Sequence, residues 1–100
     1  MVLQLHTPDE VLALFSDRAR RLRLQAGWKQ STLSERSGVS LPTLRRFERT
    51  GRASLENFLR ICHALGRLDE LTGLLSSPPA QSLKELEHRA GQRVPRRGRR

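Results

Sequence analysis

The chain has 100 residues, so it can hold one small domain with a tail. It carries a net charge of +9, from 19 Lys and Arg against 10 Asp and Glu, which favours a polyanionic partner such as nucleic acid. Nearly all of the basic residues are arginine, which forks onto phosphates and guanines better than lysine does. The single cysteine excludes an internal disulfide. No apolar run approaches the roughly 18 residues of a membrane span, and no signal peptide is seen. We therefore expect a cytoplasmic protein with no membrane partner.

The N-terminal part of the chain predicts a short arm followed by a long helix. Residues 1–7 form the arm, either disordered or a strand that pairs with its copy in a second subunit. The helix begins at Pro8, because Thr7 can cap it and Glu10 completes a capping box. It runs to about Gln25. Its predicted inward stripe consists of Val11, Leu12, Phe15, Ala19, Leu22 and Ala26. The arginines predicted on its exposed side are Arg18, Arg20, Arg21 and Arg23.

Two short helices joined by a tight turn are predicted next. The first is Gln30–Ser37, and Gly38 can take the positive φ that ends it. Ser40 can cap the second helix, residues 41–49, since its side-chain oxygen accepts a bond from a free backbone N–H. The inward-facing residues are Leu33, Leu44 and Phe47, and the outer face carries Leu41, Thr43, Arg45, Arg46 and Arg49. A capped helix with a basic outer face, held against a partner helix, fits the major groove of DNA.

A fourth helix and a leucine-rich fifth helix complete the predicted domain. Ser54 caps the fourth helix, which continues through Leu65 and stops at Gly66. Its apolar stripe is predicted to be Leu55, Phe58, Leu59, Cys62 and Leu65. The fifth helix covers residues 68–75, and its leucines either close the core or bury apolar surface against a second subunit. These candidates for a dimer interface are Leu68, Leu71, Leu74 and Leu75. Trp28 is predicted to pack in the core.

The chain changes character after residue 75. A Ser-Ser-Pro-Pro run marks the boundary between a domain at residues 8–75 and a basic, largely flexible tail at residues 76–100. Within the tail, residues 82–90 allow two turns of helix, which alone are too short to be stable in water. From Gly91 onward the composition cannot form a core. The tail either wraps DNA phosphates, docks on an acidic protein face, or stays disordered until bound.

The two-helix segment resembles the helix-turn-helix of the Xre family, the lambda-repressor-like DNA-binding domains. The residues that carry the resemblance are Gln30, Leu33, Ser37, Gly38, Val39, Ser40, Leu44, Glu48 and Gly51. It extends more loosely over residues 8–75 and leaves out residues 76–100. The resemblance implies an all-α fold: a five-helix lambda-repressor-like domain with a helix-turn-helix, followed here by the basic C-terminal tail.

The same resemblance implies which residues contact DNA. The candidates are Lys29, Gln30, Ser40, Leu41, Pro42, Thr43, Arg45, Arg46 and Arg49. Gln30 opens the motif, where relatives hold a phosphate, and Arg46 lies on the reading face, where an arginine best matches guanine O6 and N7. Leu41 and Pro42 have no side-chain donor, so they contact a thymine methyl or fill space. Arg45 reaches a phosphate or a base, or remains a solvated charge.

Two positions concern the frame of the motif rather than DNA. Glu48 is interpreted as structural, because a residue at this position in the family pairs with an arginine and braces the fold. Thr50 puts two residues between Glu48 and Gly51, where some relatives have one. We expect it to lengthen the following loop without changing the register of the two helices.

The expected function is repression of transcription at double-stranded DNA by a nucleoid-associated protein. Specificity for a long site needs two reading heads about one DNA turn apart, hence a homodimer on an inverted-repeat operator. A more diffuse resemblance, over residues 45–66, the leucine-rich helix and the tail, is to HipB-type antitoxins, Xre-family proteins that neutralise a HipA-like kinase toxin and repress their own operon. It implies the antitoxin of a type II toxin–antitoxin pair; the alternative is a stand-alone Xre-family regulator with no toxin partner.

Catalysis, a metal site and a cofactor are not expected. The histidines His6, His63 and His88 and the cysteine Cys62 lack metal-ligand spacing. No Gly-rich phosphate loop follows a predicted strand, and no local turn motif supports a Ser-His-Asp set. RNA or ribosome binding through the tail is a further alternative, which leaves the two-helix motif unexplained.

Overall fold

The computed structural model describes residues 6–77, which form an all-α domain. Its elements are α1 (Pro8–Gln25), α2 (Gln30–Ser37), α3 (Leu41–Thr50), α4 (Leu55–Ala64) and a 3-10 helix (Leu68–Leu71). The predicted all-α class and helix-turn-helix are therefore confirmed within these residues. Most of the predicted arm, the predicted helix at residues 82–90 and the rest of the tail lie outside them. Among residues 6–77, no helix is long and apolar enough to cross a membrane.

Helix α1 begins with the capping box that its sequence predicts. Thr7 Oγ1 accepts a hydrogen bond from the Glu10 backbone N–H at 3.1 Å, and Glu10 Oε1 accepts one from the Thr7 N–H at 3.1 Å. Pro8, the first helical residue, needs no N–H donor there. The helix ends at Gln25, as predicted, and the chain turns at Gly27 with φ of 78°. Short-range signals are thus sufficient to set both ends of α1.

The turn between α2 and α3 also follows from local chemistry. Gly38 has φ of 76° and donates its N–H to the Ser34 carbonyl, while the Ser34 hydroxyl donates to the Val39 carbonyl at 2.6 Å. Ser40 Oγ accepts the N–H of Thr43 at 3.3 Å and so caps α3. Left-handed backbone favours glycine, because a Cβ crowds the carbonyl there. The angle between the two helices is thereby fixed by residues within the turn.

The core lies where α1, α2, α3 and α4 meet. Its buried apolar residues are Ala19, Leu33, Val39, Leu44, Phe47 and Ile61. Phe58 joins two sides of the core, because its ring stacks on Phe15 at 5.5 Å and meets Phe47 at 5.8 Å between centroids. Aromatic pairs at such distances add about 0.5–1.5 kcal/mol beyond the area they bury. Trp28 packs against this cluster, as predicted.

The predicted apolar stripes differ from the structure at three positions. Leu55 is 72% exposed, because it is the first residue of α4 and lies beyond the packed part of the helix. Ile61, which the predicted stripe left out, is fully buried and is the one residue of α4 in that class. Ala26, the predicted end of the α1 stripe, is exposed because it follows the last helical residue. The buried side of α4 is therefore rotated from the predicted stripe.

The predicted fifth helix at residues 68–75 is also wrong. Only the four residues Leu68–Leu71 are helical, and they form a 3-10 turn. Beyond it, i→i+3 hydrogen bonds continue from Thr72 to Asp69 and from Leu74 to Leu71, but Gly73 and Thr72 are poor helix formers and the segment is too short to pay for nucleation. Leu74 and Leu75 are consequently exposed, whereas Leu68 and Leu71 are half-buried.

Helix α3 ends against the backbone of α1. Gly51 has φ of 82°, and a Cβ on it would lie 2.3 Å from the Leu12 carbonyl oxygen, so only glycine fits. Thr50 is the last residue of α3, and its hydroxyl donates to the Arg46 carbonyl at 2.8 Å. The expectation that Thr50 lengthens the loop is therefore wrong, because the extra residue extends the helix instead.

Candidate nucleic-acid interface

The outer side of α3 carries a continuous basic surface, which we call the α3 arginine face: Pro42, Arg45, Arg46 and Arg49. These residues are all exposed. At 3.6 residues per turn they fall within about 100° of one another, and Leu44 and Phe47 point the opposite way into the core. Leu41 and Thr43 lie at the two edges of the face and are half-buried. The structure thus brings the predicted reading residues together on one side of one helix.

The arginines of this face have no carboxylate partners among residues 6–77. The same holds for Lys29 and Arg36, which lie just before and within α2. Outside the two-helix motif, by contrast, the arginines with a carboxylate within 4 Å are Arg20, Arg21, Arg23, Arg52, Arg60 and Arg67. A cation without an internal partner keeps its full attraction for an external anion. Apart from Arg18, the arginines without a carboxylate partner among residues 6–77 therefore all lie in the motif.

The N-terminus of α3 is occupied by its own cap. The Ser40 hydroxyl donates to Thr43 Oγ1 at 2.9 Å while its oxygen accepts the Thr43 N–H. Both side chains thus belong to a closed local pair at the start of α3. Ser40 is exposed, so a ligand can still approach it, but its first role in the fold is to start the helix. A cap of this kind is worth about 1 kcal/mol.

The N-terminus of α2, by contrast, has no side-chain cap. Its cap residue is Lys29, whose side chain makes no capping hydrogen bond. Free backbone N–H groups at a helix start attract anions, as the positive end of the helix dipole does. Lys29 itself is exposed and adds a positive charge. This end of α2 therefore combines the features that hold a phosphate group.

The Gln30 side chain makes a hydrogen bond within the protein, which the sequence did not predict. Its Nε2 donates to Glu48 Oε1 at 2.9 Å, and the residue is half-buried. The amide has a second N–H that this bond does not use. Gln30 thus links the start of α2 to the middle of α3, and any phosphate it holds is positioned by that link.

A buried ion pair fixes α3 to α1. Arg23 donates from Nε to Glu48 Oε2 at 2.7 Å and from a terminal nitrogen to Oε1 at 2.9 Å, and its other terminal nitrogen donates to the Trp28 carbonyl at 2.9 Å. The two side chains are only 10% and 4% exposed. The interpretation of Glu48 as a structural partner of an arginine is confirmed. The prediction that Arg23 is exposed is wrong; it lies one turn after Ala19, so the inward stripe itself pointed to its burial.

Arg36 contributes to the motif through an aromatic contact. Its guanidinium lies 4.5 Å from the centroid of the Trp28 ring. Such a cation–π contact is worth about 0.5–1 kcal/mol at exposed sites and leaves the charge available to solvent. It joins the C-terminal part of α2 to the loop before that helix, beside the Arg23 network.

The comparison with known families agrees with this geometry. The helix-turn-helix family model HTH_3 matches residues 20–71, more than half of the chain, from the middle of α1 to the end of the 3-10 helix. No curated protein and no solved structure matches the chain. An HTH_3 domain indicates DNA binding and transcriptional regulation. The chain therefore belongs to the HTH_3 family of helix-turn-helix proteins.

Proposed function

We propose that this protein is a sequence-specific transcriptional repressor that places α3 in the major groove of duplex DNA. The observation that carries the proposal is the α3 arginine face, whose three arginines are exposed and have no carboxylate partner among residues 6–77. The buried Arg23–Glu48 pair holds the same helix from behind. A rigid helix with free guanidinium groups suits base recognition, which requires fixed positions.

The contacts divide between bases and backbone. Arg46 is assigned to a guanine, through O6 and N7, and Arg45 and Arg49, which follow one another along one side of α3, to phosphates beside the groove. Lys29 and Gln30 hold a further phosphate at the uncapped start of α2. The remaining candidates stand at the start of α3: Ser40, Leu41, Pro42 and Thr43. Of these, the exposed Pro42 is the best placed to touch a thymine methyl.

A homodimer on an inverted repeat completes the proposal. Of the four leucines predicted for a dimer interface, Leu74 and Leu75 are exposed and adjacent, whereas Leu68 and Leu71 pack partly against the domain. We assign the first pair to the subunit contact. Fully burying one leucine is worth about 1.5–3 kcal/mol, so four across a symmetric contact supply a useful part of a dimer's stability.

Selection of binding sites from a random duplex pool at about 150 mM salt tests this function, with the mass of the protein in solution measured in parallel. The proposal predicts an inverted repeat with half-sites about one DNA turn apart, bound by a dimer. Recovery of no motif, with binding that disappears as salt rises, would show that the protein binds DNA only by nonspecific electrostatic attraction. The two-helix motif would then be a scaffold for protein contact.

We further propose, as a narrower form of this function, that the repressor is the antitoxin of a type II pair and neutralises a HipA-like kinase. Its support is the resemblance over residues 45–66 together with Leu55, an apolar side chain of that region that is 72% exposed and so is open to contact with a partner protein. A growth assay tests it: cells that express a kinase of this type from the same operon should recover when this protein is co-expressed. No recovery, or no such kinase gene, leaves a stand-alone regulator.

A further inference from the structure

A groove lies on the side of the domain formed by α1, α4 and the 3-10 helix. Its volume is about 360 Å³. The apolar residues that line it are Phe15, Ala19, Leu22, Phe58, Cys62, Leu65 and Leu71. Among these, only Ala19 belongs to the fully packed core, and the others are half-buried. The groove is therefore an apolar surface that residues 6–77 leave incompletely covered.

The charged residues around the groove are mainly basic. They are Arg18, Arg21, Arg67 and Glu70. Arg21 is paired with Asp17 at 2.9 Å and Arg67 with Glu70 at 2.6 Å. Arg18 has no carboxylate partner among residues 6–77. The groove thus suits an apolar side chain that has an acidic neighbour.

We propose that residues 82–90 of the same chain fill this groove as a short amphipathic helix. Their sequence, Ser-Leu-Lys-Glu-Leu-Glu-His-Arg-Ala, begins with the Ser-x-x-Glu pattern of a capping box. On a helix, Leu83, Leu86 and Ala90 share one face at i, i+3 and i+7. On this helix Glu87 is adjacent to that face, and in the proposed complex its carboxylate pairs with the Arg18 guanidinium at the edge of the groove. The two leucines thus match the apolar lining of the groove, and Glu87 matches the unpaired charge of Arg18.

The chain is long enough to reach. Ser77 is the last residue that the structure describes, and Leu71, six residues earlier, lines the groove. The five residues from Ser77 to Ser82 span at most about 18 Å when extended. A segment tethered so closely has a local concentration on the order of millimolar, so a weak contact is sufficient to hold it. The groove also supplies the packing without which two turns of helix are unstable. The arginine-rich end of the chain then starts from this side of the domain.

Cys62 provides a direct test, because the only cysteine of the chain lines the groove. In the full-length protein, the rate at which a maleimide labels Cys62 measures how well the groove is covered. Replacing Leu83 and Leu86 by serine should raise that rate about fivefold or more, since it removes two buried leucines. The matched control replaces Lys84 and His88, on the opposite side of the same helix, and should leave the rate unchanged. Equal rates in both variants and the wild type would overturn the proposal.

A charge exchange and a dilution series identify the occupant. Arg18→Glu and Glu87→Arg should each speed labelling, and the two together should restore the slow wild-type rate. Because the tether is internal, the wild-type rate should be independent of protein concentration. Protection that grows with concentration would instead show a second copy in the groove and overturn the assignment to the same chain. The unfolding midpoint of each variant, measured by circular dichroism, verifies that the domain is intact.

Discussion

The arginines on α3 differ from most of those on α1 and α4 in what surrounds them. Within residues 6–77, the three arginines on α3 (Arg45, Arg46 and Arg49) have no carboxylate within 4 Å. The exposed arginines of α1 and α4 are mostly paired: Arg20 lies 2.8 Å from an oxygen of Asp17, and Arg60 lies 2.6 Å from an oxygen of Glu56. Both groups are exposed. Net charge alone therefore does not distinguish these two groups of arginines; the presence or absence of a carboxylate partner does.

Glu48 differs from the other paired acids, because its arginine is buried with it. Replacing Glu48 by alanine leaves the Arg23 guanidinium inside the protein without a counter-charge, which should cost about 3–5 kcal/mol of unfolding free energy. The matched change at the exposed pair, Glu56→Ala, should cost about 0–1 kcal/mol. Urea unfolding compares the two variants. Similar losses in both would mean that Glu48 does not brace α3.

Arg46 is the residue through which the α3 group should read sequence. Arg46→Ala should reduce discrimination at one base pair of each half-site by about 1–3 kcal/mol, because a bidentate contact to guanine is lost. Affinities for a set of single-base changes in the selected site measure the effect, with Arg60→Ala as the control. If the Arg46 variant weakens all sequences equally, its assignment as a base reader is wrong.

Gln30 should act on affinity without acting on sequence preference. Gln30→Ala removes one side-chain hydrogen bond to a phosphate, so every duplex should bind more weakly by about 1 kcal/mol. The same change removes the bond to Glu48, so unfolding is measured alongside to separate the two effects. Ser31→Ala, an exposed neighbour on α2, serves as the control. A loss confined to some sequences would place Gln30 at a base instead.

The smallest expected effect lies at Cys62 on α4. Burial raises the pKa of the Cys62 thiol, and the negative charge of Glu70 raises it further. Since the thiolate is the reactive form, alkylation should become rapid only at a pH higher than an exposed thiol requires. Glu70→Gln should lower the pKa and shift the rate profile to lower pH. Asp69→Asn should leave the profile in place, and an equal shift in both variants would contradict a specific effect of Glu70.

Features set by neighbouring residues could be predicted from the sequence. The capping box of Thr7 and Glu10, the left-handed turn at Gly38 and the cap at Ser40 each depend on a few adjacent positions, and all three are confirmed. The outward position of the α3 arginines follows from the inward position of Leu44 and Phe47, since a helix has two sides. The helix ends, the turn and the outward side of α3 in the candidate interface could therefore be predicted from the sequence.

Features that depend on distant contacts could not be predicted in the same way. The position of Arg23 one turn after Ala19 puts it on the inward side of α1, but its charge can be buried there only because Glu48, 25 residues along the chain, pairs with it. The burial of Ile61 depends on how α4 packs against α2. The third case is the segment after Leu71, where leucine content alone suggested a helix that Thr72 and Gly73 do not support.

The proposed function requires that the partner-free arginines of α3, rather than the arginines of this domain in general, bind DNA. Two triple variants that remove the same charge test it: Arg45, Arg46 and Arg49 to alanine on α3, against the paired arginines Arg20, Arg21 and Arg60 to alanine on α1 and α4. Duplex affinity is measured for each from about 50 to 200 mM salt. The α3 variant should lose most of its affinity, and its salt slope should fall by up to about 4, because Arg45 and Arg49 of both subunits make four phosphate contacts in the proposed dimer. The variant of α1 and α4 should nearly keep both. Equal losses in the two variants would contradict the claim.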